Sequence, residues 1–178
     1  MAKAEADFSG SDQYWIHGPE SFPDVATWDQ SNGLAVTADH GAVILTSEYV
    51  GSVHVSVDPR DARPTEADDP YGLADGQIWD EIVEISLNCE KGPLLIAPLD
   101  DTADLPRLDT RGPGSYRLRV HARNRDIPAH DTDGLEFSTD EYLLVSWPEN
   151  PRPALPIRLT DQRGFNIRLS VLPPPAAP

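Results

Sequence analysis

The sequence predicts an all-β fold, an antiparallel two-sheet β-sandwich with long polar loops and little helix. Apolar residues occur in short runs separated by glycine, proline and aspartate, as in strands joined by turns. Within two of these runs, apolar and polar residues alternate strictly, which is typical of a strand with one buried face. Because no helical period is sustained along the chain, two packed antiparallel sheets are the expected architecture.

The predicted strands follow one another at 14–17, 33–37, 42–46, 53–57, 78–87, 93–97, 115–123, 141–147 and 165–172. Asp39, His40 and Gly41 form a turn-like triplet that suits a hairpin between the second and third of them. Polar residues separate Val53, Val55 and Val57, and the β-branched content of 78–87 favours strand over helix.

The two clearest strands lie in the second half of the chain. In 115–123, the apolar residues at even positions point to one face, and the opposite face carries Arg117, Arg119, His121 and Arg123. The segment 141–147 is apolar at both odd and even positions. It is therefore predicted to be a central strand that is covered on both faces.

The chain is predicted to form one domain. Its 178 residues fit a single domain by length. We expect a disordered polar tail at 1–11, a β-sandwich over 12–172 and a proline-rich tail at 173–178. The segments 60–76, 98–112 and 124–139 are predicted to be exposed loops, and prolines from 148 to 156 break the chain after the central strand.

The composition is strongly acidic, with a formal net charge of -16 and a pI of about 4.4. Such a surface repels phosphate backbones, so direct binding of nucleic acid is not expected. The same field attracts basic proteins, although acidity also serves solubility alone. The acidic loops offer Asp68, Asp69, Asp100 and Asp101 as candidate contacts to a basic protein partner.

The expected location is the cytoplasm, without membrane contact. A single cysteine, Cys89, allows no internal disulfide, which fits a reducing compartment. The first ten residues lack the apolar core of a secretory signal, and no apolar run reaches the roughly 18 residues that span a bilayer.

The motifs of common enzyme classes are absent from the sequence, so no catalytic residue and no cofactor are predicted. Cys89 has only Lys91 as a basic neighbour in sequence, and it is interpreted as a structural thiol. A weak metal-site candidate is formed by a strand histidine and the loop that follows, since imidazole and carboxylate groups bind divalent ions. Its residues are His121, His130, Asp131 and Asp133.

The polar face of 115–123 is the most unusual feature of the sequence. Five of the 14 basic residues lie between positions 111 and 125, and like charges on one strand face repel. One interpretation is pairing with acidic residues of neighbouring strands, for which Glu81, Glu84, Glu136 and Glu141 are candidates. The other is a docking face for a partner, because arginine forks bind carboxylates and phosphates. Its residues would be Arg117, Arg119, His121 and Arg123.

The segment 112–120, with its glycine-x-tyrosine-x-leucine strand entry, resembles the competence protein J family. The runs 41–46, 51–57 and 142–147 fit the same layout, so the resemblance spans 33–147 and stops before the proline-rich stretch at Pro148. It implies a small β protein, and the family's named activity is inhibition of a DNA-entry nuclease. The resemblance assigns no inhibitory residue in this chain.

The favoured hypothesis is therefore a non-enzymatic acidic protein-binding module, of inhibitor or immunity type, that neutralises a basic partner such as a nuclease or toxin. The first alternative is a structural or self-assembling β-sandwich, and the second is a metal-dependent hydrolase. The sequence leaves the oligomeric state open.

Overall fold

The computed structural model describes residues 2–8, 13–18, 29–38, 40–48, 51–65, 79–90, 93–97, 107–130, 132–134 and 136–171. Strands dominate the described residues, and the predicted all-β fold is confirmed. The strands are β1 (Ala2–Phe8), β2 (Gln13–His17), β3 (Ala35–Ala38), β4 (Gly41–Leu45), β5 (Gly51–Pro59), β6 (Glu81–Cys89), β7 (Leu95–Ala97), β8 (Gly114–Arg123), β9 (Ala129–His130), β10 (Glu136–Phe137), β11 (Glu141–Pro148) and β12 (Leu155–Leu159). One helix, α1 (Gln162–Ser170), follows β12.

Two sheets make up the sandwich. The larger has six strands in the order β1-β5-β11-β8-β6-β12, and the smaller has four in the order β3-β4-β2-β7. A separate two-stranded ribbon pairs β9 with β10. The predicted antiparallel arrangement needs one correction, because β5 and β11 run parallel. These two strands are far apart in sequence, so the intervening chain can make the long crossover that parallel pairing requires.

The main core fills the space between the two sheets. From the larger sheet it takes alternate residues of β5, β6, β8 and β11, and from the smaller sheet it takes residues such as Tyr14 on β2 and Ile44 on β4. In β8 the inward side chains are those at even positions, as predicted from the alternation. Period-two burial therefore explains which residues of these strands face the main core.

The outer faces of both sheets are also partly covered. On the larger sheet, Trp79, Ile82, Leu143, Val145 and Trp147 form a second cluster, against which Ile157 of β12 packs. Since Tyr142 and Leu144 face the main core, β11 is buried on both faces, which confirms the prediction for 141–147. A third cluster lies on the smaller sheet, where Ile167 of α1 packs with residues of β3 and β4.

The structure differs from prediction at the start of the chain. The expected disordered tail at 1–11 includes β1, which pairs antiparallel with β5 from Ala2 opposite Val57 to Phe8 opposite Gly51. In the sequence, Ala2, Ala4, Ala6 and Phe8 alternate with charged residues, so the segment has the period of a strand despite its polarity. The expected tail at 173–178 lies outside the described residues.

The end of the chain differs too. The segment 165–172 is predicted to be a strand, but residues 162–170 form α1. Asp161 caps this helix, because its side chain accepts a hydrogen bond from the backbone N–H of Gly164. Before α1, the proline-rich stretch contains β12, which pairs with β6 and has a register shift between Pro156 and Arg158. Pro156 is tolerated there because β12 is an edge strand.

Candidate functional site: buried arginines and an acidic exterior

The polar face of β8 is buried. The residues Arg117 and Arg119 are each 2% exposed and His121 is 0% exposed, while the side chain of Arg123 is 13% exposed. A docking face needs accessible guanidinium groups, and this face presents almost none. Of the two interpretations of the arginine strand, the one that pairs it with acidic neighbours matches the geometry.

Glu84 on β6 is the main acidic partner of this face. The β6–β8 register places Glu84 opposite Arg119, whose Nε and Nη2 donate to Glu84 Oε1 at 3.0 and 2.8 Å. Arg63 Nη2 reaches the same oxygen at 3.1 Å, and Arg117 Nη2 lies 3.6 Å from Oε2. Burial alone would raise the pKa of Glu84, but the hydrogen bonds and charge of Arg119 and Arg63 hold it below its usual value.

The other end of the polar face also pairs with an acidic neighbour. Arg123 pairs with Glu141, its cross-strand neighbour on β11, and its guanidinium stacks over the Trp79 ring at 4.8 Å. His121 Nδ1 lies 3.1 Å from the carbonyl oxygen of Leu143, and its ring packs 5.5 Å from that of Trp79. The acidic partners Glu84 and Glu141 were both candidates from sequence.

The metal-site candidates are not brought together. His121 is buried inside the larger sheet, whereas His130 on β9 and Asp133 in the following turn are exposed. Asp131 lies outside the described residues. Across the part of the chain that the structure describes, no group of three or more His, Cys, Asp or Glu side chains is placed to hold a metal ion.

Cys89 is a buried thiol at the end of β6. Its Sγ lies 3.8 Å from Asp109 Oδ2, and burial together with the Asp109 charge raises the pKa of Cys89 to about 11. A thiol with so high a pKa stays protonated at neutral pH and is a poor nucleophile. The interpretation of Cys89 as structural agrees with this geometry.

A second buried ionic group, which the sequence analysis missed, joins α1 to the smaller sheet. Arg125 is 1% exposed and donates from Nε to Asp161 Oδ2 at 2.6 Å. Its Nη1 donates to the carbonyl oxygens of Gly33 and Leu45 at 3.2 and 3.0 Å. From the sequence, Arg125 was assigned to a loop. The signal that could have indicated this group was Asp161, a residue type that often caps a helix N-terminus and that here precedes a glycine and an apolar run.

The arginines are largely neutralised by ion pairs within the chain, which affects the charge of the whole surface. Eleven of the twelve arginines form an ion pair within the chain. The twelfth, Arg158, donates to the carbonyl oxygen of Trp79 at 3.1 Å. Since the sequence has 30 acidic residues against 14 basic ones, carboxylates remain in large excess after this pairing. The predicted contact residues Asp68, Asp69, Asp100 and Asp101 lie outside the described residues.

Comparison with known proteins adds no family to this description. No model of a known protein family, no curated protein and no solved structure matches the chain. Within the described residues, no helix is both long enough and apolar enough to cross a membrane.

Proposed function

We propose that this chain is a non-enzymatic, acidic binding module that engages a basic protein partner. The proposal depends on one observation: each arginine donates to, or forms an ion pair with, an acceptor within the same chain. The carboxylates in excess of these pairs account for the net charge of -16, which is available to attract a basic partner. A field of this kind steers a basic protein towards the module and raises the association rate by roughly 10–1,000-fold.

More specifically, we propose that the chain is an inhibitor or immunity protein that acts on a nuclease or toxin in the cytoplasm. Nucleases present basic surfaces to the phosphate backbone, and carboxylate-rich loops can occupy those phosphate sites. The resemblance of 33–147 to the competence protein J family supports this form. Within the segments predicted to be acidic loops, 66–75 has four acidic residues and 98–106 has three, and neither contains a lysine or arginine.

The test measures binding of purified basic proteins, beginning with those encoded by neighbouring genes, by surface plasmon resonance. We expect the association rate to fall steeply between about 30 and about 300 mM NaCl, because the screening length shortens from about 18 Å to about 6 Å. The variant Asp68→Asn/Asp69→Asn/Asp100→Asn/Asp101→Asn should lower the association rate by roughly tenfold.

The matched control neutralises the same number of charges elsewhere, with Asp7→Asn, Asp12→Asn, Glu20→Gln and Asp24→Asn. A smaller effect of this control assigns the contact to the two loops. If no basic protein binds even at low salt, the proposed function is wrong.

A further inference from the structure

A small groove lies where Glu84 of β6 and Arg117 of β8 meet the segment that leads into β12. Its volume is about 260 Å³, below the roughly 300–1,000 Å³ of drug-sized pockets, so it suits a small ligand or a single side chain. The charged side of the groove is formed by Arg63, Glu84, Arg117, Glu149 and Arg152.

Arg117 is held rigidly at the buried side of this groove. Its Nη1 donates to Ser86 Oγ at 2.8 Å and to the carbonyl oxygens of Arg152 and Pro153 at 2.9 and 3.3 Å. Its Nη2 lies 3.6 Å from Glu84 Oε2, which is too long for a hydrogen bond. One side of the guanidinium is thus fixed by the protein, and Nη2 keeps the capacity to donate.

The rim of the groove is positioned by the same serine. Ser86 Oγ accepts from the backbone N–H of Arg152 at 2.9 Å and donates to its carbonyl oxygen at 3.0 Å. The Arg152 side chain, 62% exposed, pairs with Glu149 at 2.8 Å. Across the groove, the Arg63 side chain is 44% exposed. Two accessible guanidinium groups therefore flank a buried one.

The charges in the groove do not cancel. Three arginines face two glutamates, and one of these, Glu84, is also shared with Arg119. Burial lowers the pKa of Arg117, and the nearby charge of Glu84 opposes this only in part. In a chain with a net charge of -16, this groove is a local excess of positive charge.

The other wall of the groove is apolar. It is formed by Pro153, Ala154 and Leu155, all of them exposed, and Leu155 at the start of β12 is 44% exposed. An ion such as phosphate would use only the charged side. A ligand that combines an anionic head with an apolar body would contact both walls.

We propose that this groove binds a carboxylate carried on a small apolar group. A carboxylate offers two coplanar oxygens that match the fork of a guanidinium, and the apolar body would cover Leu155 and Pro153. The same chemistry is found in a free organic acid and in the C-terminal residue of an apolar peptide. This binding is separate from the proposed engagement of a basic protein, since it needs neither the acidic loops nor their partner.

The experiment titrates the full chain with hexanoate, acetate, inorganic phosphate and 1-hexanol, each up to about 10 mM, because ligands this small reach modest affinity. Binding is followed by isothermal titration calorimetry and by NMR shifts. We expect hexanoate to bind more tightly than acetate or phosphate, and hexanol not to bind. Arg63→Gln and Arg152→Gln should each weaken hexanoate binding by roughly tenfold, the value of a charge-assisted hydrogen bond.

Arg60→Gln is the matched control, because it removes an arginine that is paired with Asp58 and does not line the groove. Leu155→Ser should reduce the preference for hexanoate over acetate. Absence of hexanoate binding, equal binding of phosphate and hexanoate, or an equal loss in Arg60→Gln would overturn the proposal. An apolar peptide with a free C-terminus, compared with its C-terminal amide and with hexanoate, distinguishes the two sources of the carboxylate.

Discussion

At the scale of single residues, Glu84 has an unusual position among the acidic groups. It is 2% exposed and lies within 4 Å of Arg63, Arg117 and Arg119. Removing one partner of a buried ion pair is costly, because the remaining charges are left without compensation in a poorly solvated place. The half of the polar face that contains Arg117 and Arg119 therefore depends on this carboxylate.

The first residue-scale prediction compares two variants of this group. Glu84→Gln removes the carboxylate that the buried Arg117 and Arg119 share and should lower the free energy of unfolding by about 3–5 kcal/mol. Arg63→Gln removes a side chain that is 44% exposed, and its cost should stay below about 1 kcal/mol. Urea unfolding at neutral pH measures both, and equal losses would contradict this account.

The second residue-scale prediction concerns pH. Burial and the charge of Asp161 raise the pKa of Glu81 from 4.5 to about 7, while Arg168 opposes the rise. The folded protein then keeps a proton that the unfolded chain has already lost, so the stability contributed by Glu81 is complete below pH 4.5 and is lost as the pH rises to 7. Relative to Glu81→Gln, which does not titrate, the protein should lose on the order of 2–3 kcal/mol between those limits.

Urea unfolding of both proteins at several pH values checks this dependence, and the difference between them cancels the titration of groups that do not interact with Glu81. A difference that stays constant from pH 5 to pH 8 would show that Glu81 ionises normally in the folded protein.

Much of the residue-scale description follows from the sequence. Alternation along 115–123 correctly places Tyr116 and Leu118 opposite Arg117 and Arg119, because side chains on a strand alternate. It does not show whether the arginine face meets solvent, since that depends on remote residues such as Arg152 and Ile157. Of the four acidic candidates, Glu84 and Glu141 pair with the arginine face, whereas Glu81 pairs with Arg168 of α1. The burial of Glu84 was not predicted.

At the scale of elements, α1 depends on a close approach of two backbones. Gly33 has a φ of +75°, and a Cβ on it would lie 2.6 Å from the carbonyl oxygen of Gly164. A Cβ on Gly164 would lie 2.6 Å from Asp161 Oδ1 and 2.9 Å from Arg125 Nη2, both of them buried and held in their ion pair. Because neither glycine has a Cβ, the first turn of α1 can pack closely against the loop before β3.

The element-scale prediction is that Gly164→Ala destabilises the protein, although alanine favours an ordinary helix by about 1 kcal/mol over glycine. Overpacking against the Arg125–Asp161 pair should cost about 1–3 kcal/mol. The control is Asn166→Ala on the exposed side of the same helix, which should change the stability by a few tenths of a kcal/mol. Thermal or urea unfolding of both variants provides the measurement, and a stabilised Gly164→Ala would refute the close approach.

Local pattern predicted the strands of the core better than the elements near the chain ends. In 165–172, Phe165, Ile167 and Leu169 alternate like a strand, yet only Ile167 is buried, because the Asp161 cap starts a helix. In β12, Leu155, Ile157 and Leu159 also alternate, but the prolines around them favoured a break. An edge strand tolerates a proline that a central strand does not, and edge position is a property of the whole sheet.

At the scale of the whole molecule, the composition predicts a net negative charge, but the fold determines which acidic side chains pair with arginines. The net charge of -16 is readable from the sequence, whereas the acceptors that each arginine finds within the chain are visible only in the fold. Under the two proposals, the acidic loops bind a basic protein and the groove at Arg117 binds a carboxylate. A protein partner of the acidic loops and an organic acid at the groove could be bound together, since the two regions use different residues.

The parallel pairing of β5 with β11 also constrains synthesis of the chain on the ribosome. β5 ends at Pro59, and its neighbour towards the middle of the sheet begins at Glu141. During the translation of the roughly eighty residues between them, the edge of β5 that pairs with β11 in the folded protein has no partner strand. An uncovered strand edge is a template for association with other chains, so exposure of this edge during biosynthesis favours aggregation.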